Sequence, residues 1–393
     1  MSVAVWLVVA WSVLGAVSSA LFLYGSVMLV RRCPQLAALD PPEPLSWPAL
    51  SVVVPARNEA RTIEAALASL LAQDYPHLQI VLVDDRSTDG TAEIADGLAA
   101  SDSRISVIHV RQLPTAWLGK VHALQRGIER ACGDWVLFTD ADIHFAPGVL
   151  RRAVAWAEAE RLDHVAVLAE LAPPSVWVSA CLTASLRGLL ALLRPWEASD
   201  HRSSKAIGTG AFNLVRRTAF DRTPGFEWLR LEVADDIGLG LMMKRCGACT
   251  RLLLGRGQVR NAGYATLADA VRGLEKNAFA QGARFAPGRG MALAGLGVVG
   301  AFAPFAAFLP VDLPWLPAAG AAALAVFVAA AFVFTRACRE SPWGVLLSLP
   351  VGDLVMSYVI ARATVRGVLR GGLVWRDTMY PTEMLRAGQR VGI

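Results

Sequence analysis

No charged side chain occurs from Met1 to Val30, and the apolar run closes on Arg31 and Arg32. As a helix, thirty residues at a rise of ~1.5 Å reach about 45 Å, more than the roughly 30 Å hydrocarbon core of a bilayer. A cleaved leader would carry its basic residues before a shorter apolar core. Here they follow it, which predicts a retained anchor with the next domain on the cytosolic side of the plasma membrane. Pro41, Pro42, Pro44 and Pro48 then mark a stiff linker over 33–48. At the other end, 291–310 and 315–335 are apolar runs joined by a short loop, predicting a membrane hairpin that returns the chain to the cytosol at Arg336, Arg339 and Glu340. A third run, 343–361, has two readings. It crosses, or it bends back because Pro350, Gly352 and Asp353 interrupt it. The four arginines beyond it, Arg362, Arg366, Arg370 and Arg376, favour the second.

Between these ends, 49–290 alternates short apolar runs with segments of helical period. Strands are expected at Leu50–Val54, Gln79–Asp84, Ser106–His109 and Trp135–Thr139, with helices at Ala60–Ala72, Thr91–Ala100 and Lys120–Ala131. This alternation predicts an α/β fold with a mostly parallel, doubly covered sheet. Ligands of such sheets gather beyond the carboxyl ends of the strands. Residues 175–193 form a further apolar helix with Arg187 as its one charge, either interfacial or buried in the core.

Composition sharpens this picture. The chain has 393 residues, 54% of them hydrophobic, and a mean hydropathy of +0.43, too apolar for an ordinary soluble enzyme. The net charge of +5 is modest, and the basic residues flank the apolar segments. That suits anionic lipid headgroups and gives no reason to expect a nucleic-acid partner. Six cysteines are scattered, and Cys246 and Cys249 form a lone CxxC with no second pair, so a turn is expected there and not a zinc site.

The candidate chemistry sits where apolar strands run into acids. Asp140-Ala141-Asp142 follows one such strand, and side chains two apart on a strand share a face. Two hard oxygen ligands there suit Mg²⁺ or Mn²⁺ shared with substrate phosphates. Asp84-Asp85 ends another strand, with a helix start just beyond at Asp89-Gly90-Thr91. One of these two carboxylates, with the turn at Pro55-Ala56-Arg57-Asn58-Glu59, can recognise a nucleoside; the alternative is a helix cap with a solvated turn. Lys120 either supplies a cation near phosphates or simply opens an exposed helix. Asp235-Asp236 alone is an acidic helix start before Ile237–Arg245.

The ordered set of the Pro55–Glu59 turn, Asp84-Asp85, Asp140-Ala141-Asp142, Gly208-Thr209-Gly210-Ala211-Phe212-Asn213 and Asp235-Asp236 resembles family 2 glycosyltransferases over roughly 48–290. The resemblance implies a GT-A-like fold and inverting transfer of a sugar from a nucleotide diphosphate sugar, a UDP-sugar by expectation. It implies donor contacts from Pro55, Arg57, Asn58, Glu59, Asp84, Asp85, Lys120 and Asp140, and a metal on Asp140 and Asp142. Asp236 stands in the place of the general base, with Asp235 orienting it or capping the helix. Gly208, Gly210 and Asn213 fall on the acceptor side.

The chain lacks the Arg-Trp pair that many membrane relatives carry after the base; the corresponding stretch holds Lys276 and Asn277, added here to the acceptor side. This is similar to the branch that glycosylates carotenoid-type lipids, with hopanoid-associated and ceramide-type enzymes nearby. Gly371-Gly372-Leu373-Val374-Trp375-Arg376 resembles that branch's tail, with Asp377 where a glycine is usual. A membrane lipid is therefore the expected acceptor. A polyprenyl phosphate or a growing polysaccharide is the alternative. An acceptor that is already a carboxylate or phosphate would need no base. A sugar-phosphate nucleotidyltransferase would need a glycine-rich loop after the first strand, which Pro55–Glu59 is not. A non-enzymatic scaffold would not need every acidic position filled.

Overall fold

The computed structural model describes residues 2–261 and 263–392. Eight strands form one sheet: β1 (Leu50–Ala56), β2 (Leu78–Asp85), β3 (Ile105–Val110), β4 (Trp135–Phe138), β5 (Ile143–Phe145), β6 (His164–Leu171), β7 (Asn213–Arg216) and β8 (Thr250–Asn261). Their order is β3-β2-β1-β4-β7-β6-β8-β5. The first four are parallel, β7 and β5 run against their neighbours, and β6 and β8 are parallel. β1 is buried along its whole length, as a central strand covered on both faces must be. Its side chains alternate between two cores. Val52 and Val54 join Leu67 and Leu70 of the helix Ile63–Leu71, whereas Val53 meets Val121, Leu124 and Ile128 of the helix Gly119–Arg130. The mostly parallel, doubly covered sheet is therefore the observed architecture.

β4 positions the site. It pairs with β1 on one side and with β7 on the other, so the turn after Phe138 lies beside the loop that leads into Asn213. The strand stops at Phe138, two residues short of Asp140. Strand alternation therefore does not aim Asp140 and Asp142, as the sequence suggested; the turn itself does.

Five helices among the described residues are long and apolar enough to cross a membrane: Val3–Arg32, Val176–Glu197, Pro287–Phe308, Leu316–Cys338 and Pro342–Arg370. The first, third and fourth pack as a bundle. The Phe22 ring lies 5.6 Å from those of Phe327 and Phe334, and Trp11 donates its indole N–H to Val299 O. A Cβ on Gly15 would come within 2.5 Å of the Ala303 backbone, so this contact requires glycine.

The other two helices pack on each other. Cβ atoms at Gly344 and Gly352 would collide with Ser179 and with the Ala180 carbonyl. Arg187 donates to Ser348 Oγ at 3.1 Å, lies 3.5 Å from Asp353, and stacks over Phe22 and Phe327. The stretch Pro342–Arg370 is broken at Leu349, whose φ and ψ of −122° and 121° are not helical. Both of its ends lie against the α/β unit. Arg339 is 3.7 Å from Glu170 before it, and an antiparallel hairpin, β9 (Gly372–Trp375) and β10 (Thr378–Pro381), docks beside β1 after it.

The proline-rich stretch is less free than a spacer. Leu36 is fully buried, Gln35 bridges to Leu254 of β8, and Tyr75 donates its hydroxyl to Pro48 O. Apolar side chains at both ends of the stretch tie it down. Cys246 and Cys249 occupy a tight turn between the helix Asp235–Arg245 and β8, with Gly247 at φ +80°. All six cysteines are free thiols.

Candidate active site

The carboxyl ends of β1, β2 and β4 open into a cleft of about 730 Å³, its mouth included. Pro55, Arg57, Glu59, Asp85, Lys120, Asp140 and Asp142 line it, with Lys276 opposite. A smaller chamber shares Pro55, Lys120 and Asp140 with the cleft and adds Gly210, Asn213, Asp235 and Asp236.

On the strand side, Asp84 and Asp85 occupy consecutive positions of β2 and so face opposite ways. Asp85 reaches the cleft. Arg86 holds both of its oxygens, at 2.8 and 3.0 Å, and Arg57 lies 3.8 Å away. The Arg57 Nε is buried and has no hydrogen-bond partner among the described residues. Asp84 does not line the cleft. It accepts the Ser87 N–H and pairs with His109 at 3.1 Å. Asn58 is likewise spent on the loop: its φ is +56°, and its side-chain oxygen accepts the Thr88 N–H at 2.8 Å. Of the expected donor contacts, then, Asp84 and Asn58 brace the turn that presents the others.

Lys120 is the electrostatic centre. Its ammonium is 2.7 Å from Asp140 and 3.2 Å from Asp235. Burial disfavours its charge, but Asp140, Asp235 and Asp236 more than offset this and hold its pKa above the ordinary lysine range. Lys276 lies 4.0 Å over the Trp375 ring, and burial and the neighbouring Lys120 lower its pKa. Asn277 is exposed and lies outside the cleft.

Asp142 is pushed up to about 6 by burial, then by Asp140 and Glu59. Asp236 is raised by burial and by Asp235, against the pull of Lys120. Each of its oxygens accepts one backbone N–H, from Ile237 at 2.8 Å and from Gly210 at 3.0 Å.

The glycine loop explains how these groups keep their spacing. Gly210 donates its N–H to Asp236 while its carbonyl accepts the Asp140 N–H at 2.9 Å. A Cβ on Gly210 would stand 2.4 Å from an Asp140 oxygen, and one on Gly208 would overlap the Asp236 carbonyl. Asn213 is buried between His164 and the Asp236 carbonyl. Gly208 and Asn213 thus pack against the Asp236 backbone, and Asn213 also lines the smaller chamber.

Three side chains absent from the expected site also line the cleft: Trp375, Arg376 and Tyr380 of the β9–β10 hairpin. Tyr380 accepts the Gly119 N–H at 3.3 Å. Arg376 pairs with Glu59 and donates to Arg57 O. The tail motif at Trp375-Arg376 was the available signal, but nothing in a linear reading brings residue 376 to residue 59.

A match to the family described as Glycosyl transferase family 2 covers residues 51–237. An N-acetylglucosaminyltransferase of Mesorhizobium japonicum is 40% identical over 116 residues, which are 29% of this chain and 26% of that protein. A 4,4'-diaponeurosporenoate glycosyltransferase of Staphylococcus aureus is 35% identical over 97 residues, 25% of this chain and 24% of its own length. These alignments span about a quarter of either relative. A solved mannosyltransferase of Pyrobaculum calidifontis, PcManGT, in complex with GDP-Man and Mn²⁺, superposes with a TM-score of 0.55 at 22% identity, over 90% of this chain and 97% of that one. That likeness extends beyond the α/β unit to most of the chain.

Proposed function

Residues 51–237 belong to glycosyltransferase family 2, and from that premise we propose that the chain moves a sugar, with inversion, from a nucleotide diphosphate sugar to a membrane lipid. The observation that carries this reading is the shared wall of the two chambers. Lys120 and Asp140 border both, and Gly210 fastens Asp140 to Asp236. A donor in the larger chamber would thus present its reacting carbon toward the carboxylate in the smaller one.

In this reading Asp85 accepts N–H or hydroxyl protons of the nucleoside, and the unpartnered Arg57 Nε donates to the donor. Lys120 and Lys276 face the diphosphate and offset the charge it gains as the glycosidic bond breaks. Asp140 and Asp142 are a hard-oxygen pair, with the pKa of Asp142 raised by burial and then by Asp140 and Glu59, a donor set that fits Mg²⁺ or Mn²⁺. Among the described residues no three His, Cys, Asp or Glu side chains converge on one point, so the remaining ligands would come from diphosphate and water. Such an ion, when bound, supplies Lewis-acid stabilisation of the leaving group. Asp236 takes the proton of an attacking hydroxyl. The Staphylococcus relative and the tail motif both favour a carotenoid-type or similar lipid as acceptor.

The test is a transfer assay. The purified full-length chain, offered a panel of radiolabelled nucleotide sugars and total membrane lipid, should convert label to an organic-extractable product whose mass exceeds a parent lipid by one sugar. Label appearing only in water-soluble or polymeric product would reject the lipid acceptor.

The membrane reading follows from the same site. The bundle of Val3–Arg32, Pro287–Phe308 and Leu316–Cys338 spans the plasma membrane, with the α/β unit on the cytosolic side. Pro342–Arg370, with Val176–Glu197 packed on it, bends at Leu349 and returns to the cytosolic side, because it begins and ends beside the α/β unit. A reporter fused after the last residue should then read cytosolic. An external reporter would mean that Pro342–Arg370 crosses.

A further inference from the structure

The hairpin that closes the cleft has two faces. Leu373 and Tyr380 are cross-strand neighbours and both are buried, Tyr380 against Gly119. Val374 and Met379 are the next pair, point the other way, and remain 44% and 42% exposed. An apolar pair facing out of a two-stranded ribbon gains nothing from water. The helix Asp353–Arg370 just before the ribbon has an exposed apolar strip of its own, in which Tyr358, Val365 and Leu369 recur at helical spacing and Leu369 is 80% exposed. Arg362, Arg366 and Arg370 form the adjoining stripe, four residues apart. No acidic residue occurs between Asp353 and Asp377. Glu275 pairs with Arg362 and Arg366, but Arg370 is exposed and Arg366 is partly so.

We propose that this composite face, Val365–Leu369 with Val374 and Met379, rimmed by Arg366 and Arg370, docks on an anionic lipid surface and thereby seats the hairpin over the donor cleft. Charge complementarity selects the partner. The helix runs alongside Pro287–Phe302, with Gly290 against Thr364 and Gly297 against Ser357, so its arginine-bearing end lies at the cytosolic end of a spanning helix, at the level of the anionic headgroups. Continuity supports it as well, because the face ends a stretch apolar enough for a membrane. The consequence for the site is direct. The segment that touches lipid also carries Trp375, Arg376 and Tyr380, so lipid on one face of the ribbon orders the cleft wall on the other. The inference rests on the membrane placement and donor cleft proposed above.

Hydrogen exchange on the full chain tests it, in vesicles of phosphatidylcholine alone or mixed with phosphatidylglycerol, with sugar transfer followed in the same preparations. Each surface arginine contributes roughly fivefold to attraction by an anionic membrane. Amides of 366–381 should therefore exchange roughly tenfold more slowly, or slower still, in the phosphatidylglycerol vesicles, while those of β1–β4 stay unchanged. The double variant Arg366→Gln with Arg370→Gln should erase the difference, and Val374→Ser with Met379→Ser should reduce it. Unchanged β1–β4 exchange shows that each variant is folded. Equal exchange in the two vesicle types overturns the proposal. So does equal protection from inorganic phosphate in phosphatidylcholine vesicles, which would make the face a soluble-anion site. Lipid-dependent protection without any sugar transfer would defeat the functional reading and leave this one standing; transfer without lipid-dependent protection would do the reverse.

Discussion

Asp142→Asn should remove sugar transfer while leaving the protein folded and in the membrane. Asp142 and Asp140 are the two carboxylates beyond β4, and Asp142 is already pushed up to about 6 by burial and then by Asp140 and Glu59. A divalent ion relieves that crowding, and the amide cannot replace a charged ligand. An ion in this role supplies several kcal/mol to the transition state; about 4 kcal/mol alone is roughly 10³-fold in rate. Chelator should abolish transfer in the native chain, and Mg²⁺ or Mn²⁺ should restore it. The proton and the ion compete for the same carboxylate. Apparent metal affinity should therefore weaken as the pH falls through about 6, the value to which Asp142 is raised. The measurements are a metal titration of transfer at several pH values and thermal unfolding of the variant. Full activity in chelator would remove the ion from the scheme.

The second large effect is expected at Asp236. Asp236→Asn should lower transfer to a hydroxyl acceptor roughly 10²–10⁴-fold, the usual worth of a general base. The substitution is nearly isosteric, and the oxygen of the amide can still accept one of the two backbone N–H bonds from Ile237 and Gly210. Binding of the nucleoside diphosphate should change little, because Asp85, Arg57 and Lys120 lie outside the altered group. Burial and Asp235 raise the Asp236 pKa, and a base works only when ionised. Activity of the native chain should therefore fall as pH drops through a value above the ordinary carboxylate range, and the variant should lack that acid limb. Kinetics across pH with both proteins, alongside equilibrium binding of nucleoside diphosphate, separate these effects. An unimpaired variant would exclude Asp236 as base and favour an acceptor that arrives ionised, such as a carboxylate.

One lysine gathers the carboxylates of the site. Asp140, Asp235 and Asp236 crowd together within reach of Lys120, whose ammonium bridges the first two. A buried cation with several acidic partners is worth most when all of them are present, since removing it leaves like charges unscreened in a low dielectric. The sequence reading left Lys120 open between a phosphate contact and an exposed helix start. Its position between both chambers removes the second option.

Much of this protein is determined by local pattern. The continuous apolar runs of β1, β2 and β4 are strands because a central parallel strand is buried on both faces. The charge-free N-terminal run carries the helix Val3–Arg32, which has membrane length. The acidic turns mark the strand ends, since an apolar strand must return to water there. What the linear chain does not contain is distance between segments far apart in it. Asp84 and Asn58 look like ligands in a motif, and only the fold shows that Asp84 accepts the Ser87 N–H and reaches His109 while the Asn58 oxygen accepts the Thr88 N–H. Gly208 and Gly210 look like an acceptor motif, yet close approach to the Asp236 backbone and the Asp140 carboxylate is what demands them. Trp375, Arg376 and Tyr380 follow the last apolar segment and reach the cleft because that segment breaks at Leu349 and both of its ends lie against the α/β unit. Periodicity and charge act over a few residues and can be read in order. Which side chains share a wall depends on how the sheet and the membrane helices pack, and only the tertiary structure decides that.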